Sequence, residues 1–296
     1  MNILTNHTWI LALIALTCFS CQSEYEKEIQ SWQQSRFDEL KAPFGWPSVV
    51  GLYWVRNSMA YFGSGEGNDF MIPGNAPSGF GRIMDYDTAY YMIAYYSLRV
   101  QVAGETATKI RMLTDKEEGG PTKASWKNYQ WHLIERGDKT FLRVQDSLSQ
   151  YRNSLTHIPH YPINERWKIP AKFTPADSTE RINYDNIIDM SFEKAFAGYL
   201  EFELGNQAYR LKAMHNDDES YFVIFSDHTT GEDTYGGGRY LYPKRSDDSG
   251  MTYIDFNKAI NPPCVFTPYA TGPLPPKENH IDAAIVAGEK MLKLYD

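Results

Sequence analysis

The sequence predicts a mainly β protein, with sandwich- or barrel-like sheets and a helix at each end. Three observations carry that expectation. The chain is rich in aromatic residues, with 21 Tyr, 15 Phe and 7 Trp among 296 residues, and large flat side chains suit a pleated surface. Short runs of alternating apolar and polar residues recur between Gly, Asn and Asp. Helical spacing of apolar residues is confined to the two ends of the body.

Residues 1–20 read as a signal peptide. Met1 to Ser23 contains no Lys, Arg, Asp or Glu, and Trp9–Leu16 is too short to span a bilayer but suits the apolar region of an export signal. Ser20-Cys21 resembles the bacterial lipobox, with Cys18 where leucine is usual. The resemblance implies a lipid anchor on Cys21, residues 21–23 as a tether, and a body facing the periplasm or exterior from a membrane of the cell envelope. More than one acyl chain would make that anchor durable. Cys264 is then the one free thiol.

The predicted body divides into 24–155, a helix plus a β-sandwich-like half, and 156–296, a β-rich half ending in a helix. In residues 24–41, Tyr25, Ile29, Trp32, Phe37 and Leu40 fall on or near one face, and Pro43, Gly45 and Pro47 end the helix. Tyr90–Ile93, Ser97–Val102 and Thr140–Val144 read as strands, the last preceded by the turn Arg136-Gly137-Asp138-Lys139. The Pro-rich passage His157–Pro162 marks the boundary. Beyond it, Trp167–Phe173 precedes the clearest hairpin, Gly198–Leu204 returning through Ala208–Leu211 after Gly205-Asn206. Tyr221–Phe225 reads as a buried strand. Ile281, Ala284, Ile285, Gly288, Met291, Leu292 and Tyr295 recur at helical spacing behind Asn279, placed to cap.

A formal charge of −8 with no basic cluster speaks against nucleic acid or an anionic membrane surface as partner. There is no nucleophile elbow, Walker loop, dinucleotide fingerprint or zincin helix, so no cofactor is expected. His157 and His160 lie in a Pro-rich loop without a third ligand, and no metal site is assigned. The chemistry-bearing residues gather in two blocks, Phe225–Leu241 and Ile254–Cys264. Asp227, Arg239 and Asp255 are the candidate catalytic groups, since two carboxylates beside an arginine can serve acid–base or oxyanion roles. Thr229, Tyr235, Asn257 and Asn261 are the candidate ligand-binding residues. Gly236-Gly237-Gly238 could present N–H groups to an anion. The same residues also read as turn chemistry, with Arg239 paired internally to Asp227 or Asp255; His228, beside Asp227, reads as a turn residue, with a general base as the alternative.

At these blocks, and through the Pro-rich turn Thr267–Pro276 and Asn279, the sequence resembles the bacterial and archaeal family called domain of unknown function 1684. Its pattern F-x-D-x-T-x-G-x-x-T-Y-G-x-G-R, followed by D-F-N-x-A-x-N-P-P-C, is met by Phe225–Arg239 and Asp255–Cys264. Gly45-Trp46 and Gly51–Trp54 fit the family's start, extending the resemblance over 24–294. Gly272 stands where that pattern has cysteine, so a pairing or ligand role for Cys264 implied for relatives is absent here. The resemblance implies a fold and a core signature but no activity. Tyr61–Ile72 also resembles the opening of a forkhead-associated-type sandwich, without the Arg and His with which such domains read phosphothreonine.

Taken together these readings favour an exported, non-catalytic binding module of the cell envelope for a small molecule, glycan or protein. A hydrolase using Asp227, Asp255 and Arg239 is the first alternative, and a structural or assembly role is the second.

Overall fold

The computed structural model describes residues 22–186 and 191–295; the predicted signal segment and Cys21 lie outside the described residues. Helix α1 (Glu24–Lys41) begins at Ser23, whose hydroxyl accepts from Glu26 N while the Glu26 side chain returns to Ser23 N. This reciprocal capping satisfies two N-terminal donors. Tyr25, Ile29 and Leu40 are the residues α1 buries. Among the described residues no helix is long and apolar enough to cross a membrane.

The strands up to residue 146 are β1 (Val49–Trp54), β2 (Met59–Gly63), β3 (Phe70–Met71), β4 (Gly81–Asp85), β5 (Tyr90–Ala94) and β6 (Gln101–Val102). They continue with β7 (Glu105–Thr106), β8 (Lys109–Met112), β9 (Ala124–Trp126), β10 (Tyr129–Arg136) and β11 (Lys139–Asp146). They form a six-stranded sheet, β1-β11-β10-β9-β6-β7, and a five-stranded sheet, β3-β2-β4-β5-β8. The two share one apolar core, with Phe62, Phe80, Ile83 and Met92 facing Trp131, Leu133, Leu142 and Val144. The β10–β11 hairpin turns at Gly137-Asp138 as predicted, Gly137 taking φ +62°. Ser97–Val102 is not one strand: Tyr96–Leu98 is a short helical turn, and Arg99 at φ 52° leaves only Gln101 and Val102 to pair.

The second group comprises β12 (Lys168–Pro175), β13 (Ile182–Asp185), β14 (Ser191–Lys194), β15 (Gly198–Leu204) and β16 (Gln207–His215). It ends with β17 (Tyr221–Asp227), β18 (Arg239–Leu241), β19 (Met251–Asp255) and β20 (His280–Ile281). Except for the small β13–β14 hairpin, they make a curled half-barrel, β18-β17-β16-β15-β12-β19, with β20 parallel to β17. Its concave side holds Leu200, Leu211, Val223, Phe225, Ile254 and Phe256.

The predicted C-terminal helix is not formed. After β20 the chain runs as an extended strap across the half-barrel. Ile281, Ile285 and Ala287 are fully buried, whereas Ala284 is exposed. The backbone groups that a helix would pair internally are taken by distant partners. Glu289 N donates to Ala259 O at 2.8 Å, Lys290 N to Pro159 O at 2.8 Å, and Met291 N to Asp233 O at 2.8 Å. Gly288 sits at φ +79°, where a Cβ would lie 2.6 Å from Ala259 O. Asn279 is no helix cap: its amide donates to Lys212 O and Ile224 O, both at 2.9 Å, and its oxygen accepts from Lys212 N at 2.7 Å.

Candidate functional site

Alternation along β17 turns Asp227 inward, and β18 delivers Arg239 opposite Phe225, two residues back on the same face. Arg239 Nη2 lies 2.7 Å from Asp227 Oδ2, with both side chains essentially unexposed. The other carboxylate oxygen accepts from Thr229 N and Thr229 Oγ1, each at 2.6 Å, and Thr229 Oγ1 meets Thr234 Oγ1 at 3.0 Å. Arg239 also donates to Ile285 O at 3.0 Å and to Ala287 O, and its guanidinium lies over the Phe225 ring. Every Asp227 oxygen is therefore committed to the β17–β18 turn or, through Arg239, to the strap. Such bonds offset much of the cost of burying a charge pair, although Arg239 Nε is buried without a hydrogen-bond partner. Gly238, at φ +76°, brings the backbone so close that a Cβ would stand 2.5 Å from Phe225 O.

Asp255 lies elsewhere. It accepts from Tyr25 Oη at 2.8 Å and from Asn257 N at 3.1 Å. The Asn257 amide reaches Tyr25 Oη at 2.8 Å and Asn164 O at 2.9 Å. These bonds pin the start of α1 to the end of β19, and burial pushes the Tyr25 phenol well above its usual range. Asp255 lines a cleft of about 490 Å3 with Glu28, Trp32, Lys168 and Lys258, and neither Asp227 nor Arg239 is among its lining residues. Asn261 is a third fastener. Its N–H donates to Glu289 Oε2 at 2.6 Å and its amide to Lys290 O at 2.8 Å. The other Glu289 oxygen lies 3.5 Å from Arg36 Nε of α1. Tyr235 and Cys264 line a further cavity beside Met291 and Leu292, and burial pushes the Cys264 thiol up, so it stays protonated near neutral pH. The structure thus joins Asp227, Thr229 and Arg239 in one cluster and keeps Asp255 with Asn257 and Asn261 with Glu289 in two others.

The most unusual electrostatic environment is on the six-stranded sheet. The inner faces of β10 and β11 supply Trp131, Leu133, Leu142 and Val144 to the core. The alternate positions, Gln130, His132, Arg143 and Gln145, therefore point to the other side, where His132 pairs with Arg143 in register and Gln130 with Gln145. On an open sheet such polar residues would meet water. Here the chain leaving α1 roofs them: Gln145 Nε2 donates to Phe44 O at 2.6 Å, and Arg143 lies over the Trp46 ring, 4.8 Å from its centroid. Gly45 permits the tight approach, since a Cβ there would collide with Leu40 O.

Arg143 is 7 % exposed. Its Nε and Nη2 are sealed from water without a hydrogen-bond partner, and among the described residues its side chain forms no ion pair. Burial pushes this guanidinium down to about 10, still charged at neutral pH. His132 Nδ1 is likewise unpartnered, and burial, reinforced by Arg143 and Lys123, lowers His132 to about 4. Both line a cavity of about 450 Å3 with Trp46, Pro121, Lys123 and Gln145; the sole carboxylate on its wall, Glu39, is an exposed residue. The cavity offers an unneutralised cation, an exposed lysine and a neutral imidazole around one space. Sequence reasoning did not find it. The alternation of Thr140–Val144 marked Arg143 as facing away from the core, but nothing local to it announced the roof.

These features define a mainly β protein with a sandwich, a half-barrel, and a signature motif whose polar residues fasten the chain internally. Residues 153–290 match the family described as protein of unknown function (DUF1684). Asp227, Arg239, Asp255, Asn257 and Asn261 all fall within that segment, whereas Arg143 and His132 precede it. The chain is also similar to an uncharacterized protein of Haloarcula marismortui solved by solution NMR. That protein is 26 % identical over 47 % of this chain and 78 % of its own, with a TM-score of 0.39. No curated protein matches the chain.

Proposed function

We propose that this protein is a non-catalytic binding module of the cell envelope, tethered to a membrane through Cys21, and that its ligand is a small molecule carrying a carboxylate or phosphate. The observation that supports the ligand class is Arg143, a buried guanidinium without a counter-ion on the wall of an open cavity. An isolated buried charge costs several kcal/mol in the absence of a partner. A bound anion would supply that partner, with Lys123 at the rim adding attraction and His132 available to take up a proton as the anion arrives. Hydrolysis by Asp227, Asp255 and Arg239 has less support, because Asp227 and Arg239 are committed to each other and to backbone groups.

Calorimetric titration of the full chain with inorganic phosphate and with citrate tests the ligand class. At least one should bind saturably, and Arg143→Met should abolish that binding. If both bind no better than chloride at matched ionic strength, or if binding survives Arg143→Met, the reading fails. The tether is tested separately by metabolic labelling with palmitate: incorporation unchanged in Cys21→Ala would sink the lipoprotein assignment.

A further inference from the structure

Far from the Arg143 cavity, the parallel pair β17–β20 builds a second constellation that the signature motif explains only on its inner side. The register sets Ser226 opposite His280 and Asp227 opposite Ile281, and it continues past the strands with His228 N donating to Ala283 O at 3.1 Å. Side chains alternate faces along each strand. Asp227 and Ile281 point into the core, where the first holds Arg239 and the second packs. Ser226, His228, His280 and Asp282 consequently share the outer face as a two-by-two grid.

We propose that His228, His280 and Asp282 form a binding site for a first-row divalent cation of the Zn2+, Ni2+ or Cu2+ class. One ring nitrogen from each histidine and one carboxylate oxygen lie within 4.8 Å of one another, and all three residues are exposed. Among the described residues this is the one group of three or more His, Cys, Asp and Glu side chains so placed. His228 Nε2 is already 2.8 Å from Asp282 Oδ1, and Ser226 Oγ, 3.0 Å from His280 Nδ1, holds the second ring. Two imidazoles and a carboxylate suit a borderline metal and leave coordination positions open for water or a ligand atom. The remaining approach, to bonds of about 2.0–2.2 Å, is a rotation of exposed side chains and asks nothing of the backbone. That backbone is fixed from below: Asp227, the residue before His228, is tied through Arg239 to Ile285 O, three residues beyond Asp282. The motif's buried pair would then act as the foundation of a surface metal site, a positioning role and not a coordinating one.

Titration of the full chain with ZnCl2, in a Cys18→Ser/Cys21→Ser background that removes competing thiols, tests the assignment. One equivalent of Zn2+ should bind, and His280→Ala and Asp282→Asn should each weaken it at least tenfold. His157→Ala, in a different loop, should leave it unchanged. All three positions are exposed, so the thermal midpoint without metal should not move, and Zn2+ should raise the midpoint of the background protein but not of His280→Ala. Absence of saturable binding, or equal binding by His280→Ala, would overturn the site.

Discussion

Replacing Arg143 by methionine is expected to make the unliganded protein more stable, the reverse of the usual outcome for a buried residue. The guanidinium falls from an ordinary 12.5 to about 10. At about 1.36 kcal/mol per pH unit, this disfavours the charged form by about 3 kcal/mol relative to water. Methionine has similar length and no charge, so it removes that cost. Against it stands the lost contact with Trp46, worth about 0.5–2 kcal/mol for a cation over an aromatic face. The net is a gain of about 1–2 kcal/mol, within the range seen when buried ionic groups yield to apolar ones. For a body of this size the thermal midpoint should rise by roughly 4 °C. Urea and thermal unfolding in buffer without phosphate or carboxylates provide the assay. Adding phosphate should then raise the wild-type midpoint and leave the variant's where it was. A loss of about 1 kcal/mol or more for Arg143→Met in anion-free buffer would show the guanidinium to be satisfied within the fold, and the reasoning behind the anion site would collapse.

Three further outcomes are expected. Asp227→Asn leaves Arg239 buried without its counter-ion and should cost about 3–5 kcal/mol in urea unfolding; a cost below about 1 kcal/mol would contradict the fastening role. His132 is held below its unfolded value of 6.5, near 4, so the unfolded chain takes the proton first. Its contribution is present above 6.5 and lost as pH falls toward 4, about 3 kcal/mol in full, and His132→Gln should flatten that limb of a stability–pH profile. Glu289 carries the opposite sign: burial raises it above 4.5 against the pull of Arg36 and Asn261 N–H. Its contribution is full below 4.5 and declines as pH rises through the higher folded value, so Glu289→Gln should remove a decline that wild type shows on that side.

Local signals made the β character legible. Gly137-Asp138 and Gly205-Asn206 stand between alternating runs, and both hairpins form where those signals place them. Helix α1 was legible because its apolar stripe agrees with the Pro and Gly residues that follow it. The strap after β20 was not. Ile281, Ile285 and Leu292 happen to recur at helical spacing, while what decides the conformation is the set of distant groups that claim the backbone, from Pro159, Asp233 and Ala259. The signature block was legible as a unit, and its pairing of Asp227 with Arg239 was one of the two readings the residues allowed. The grouping of Asp255 with Tyr25, 230 positions away, was not written in any neighbouring residue. The Arg143 cavity failed to show for the same reason: the sheet face follows from alternation, but its roof comes from Phe44 and Trp46, about a hundred residues earlier in the chain.

The strap also sets a clock. Arg239 finds one of its backbone acceptors, Ile285 O, 46 positions later in the chain. At a synthesis rate of roughly 10 residues per second, that interval is about 5 s during which a guanidinium destined for the core has no carbonyl to receive it. Strands β12 to β19 can meet in that time and Asp227 can pair with Arg239, but closing the half-barrel over a pair whose backbone acceptors are still missing is unfavourable. The motif therefore holds the door open until the strap has emerged. A ribosome stalled shortly after Leu241 should carry a half-barrel that proteases still cut readily, whereas one stalled well beyond Tyr295 should not.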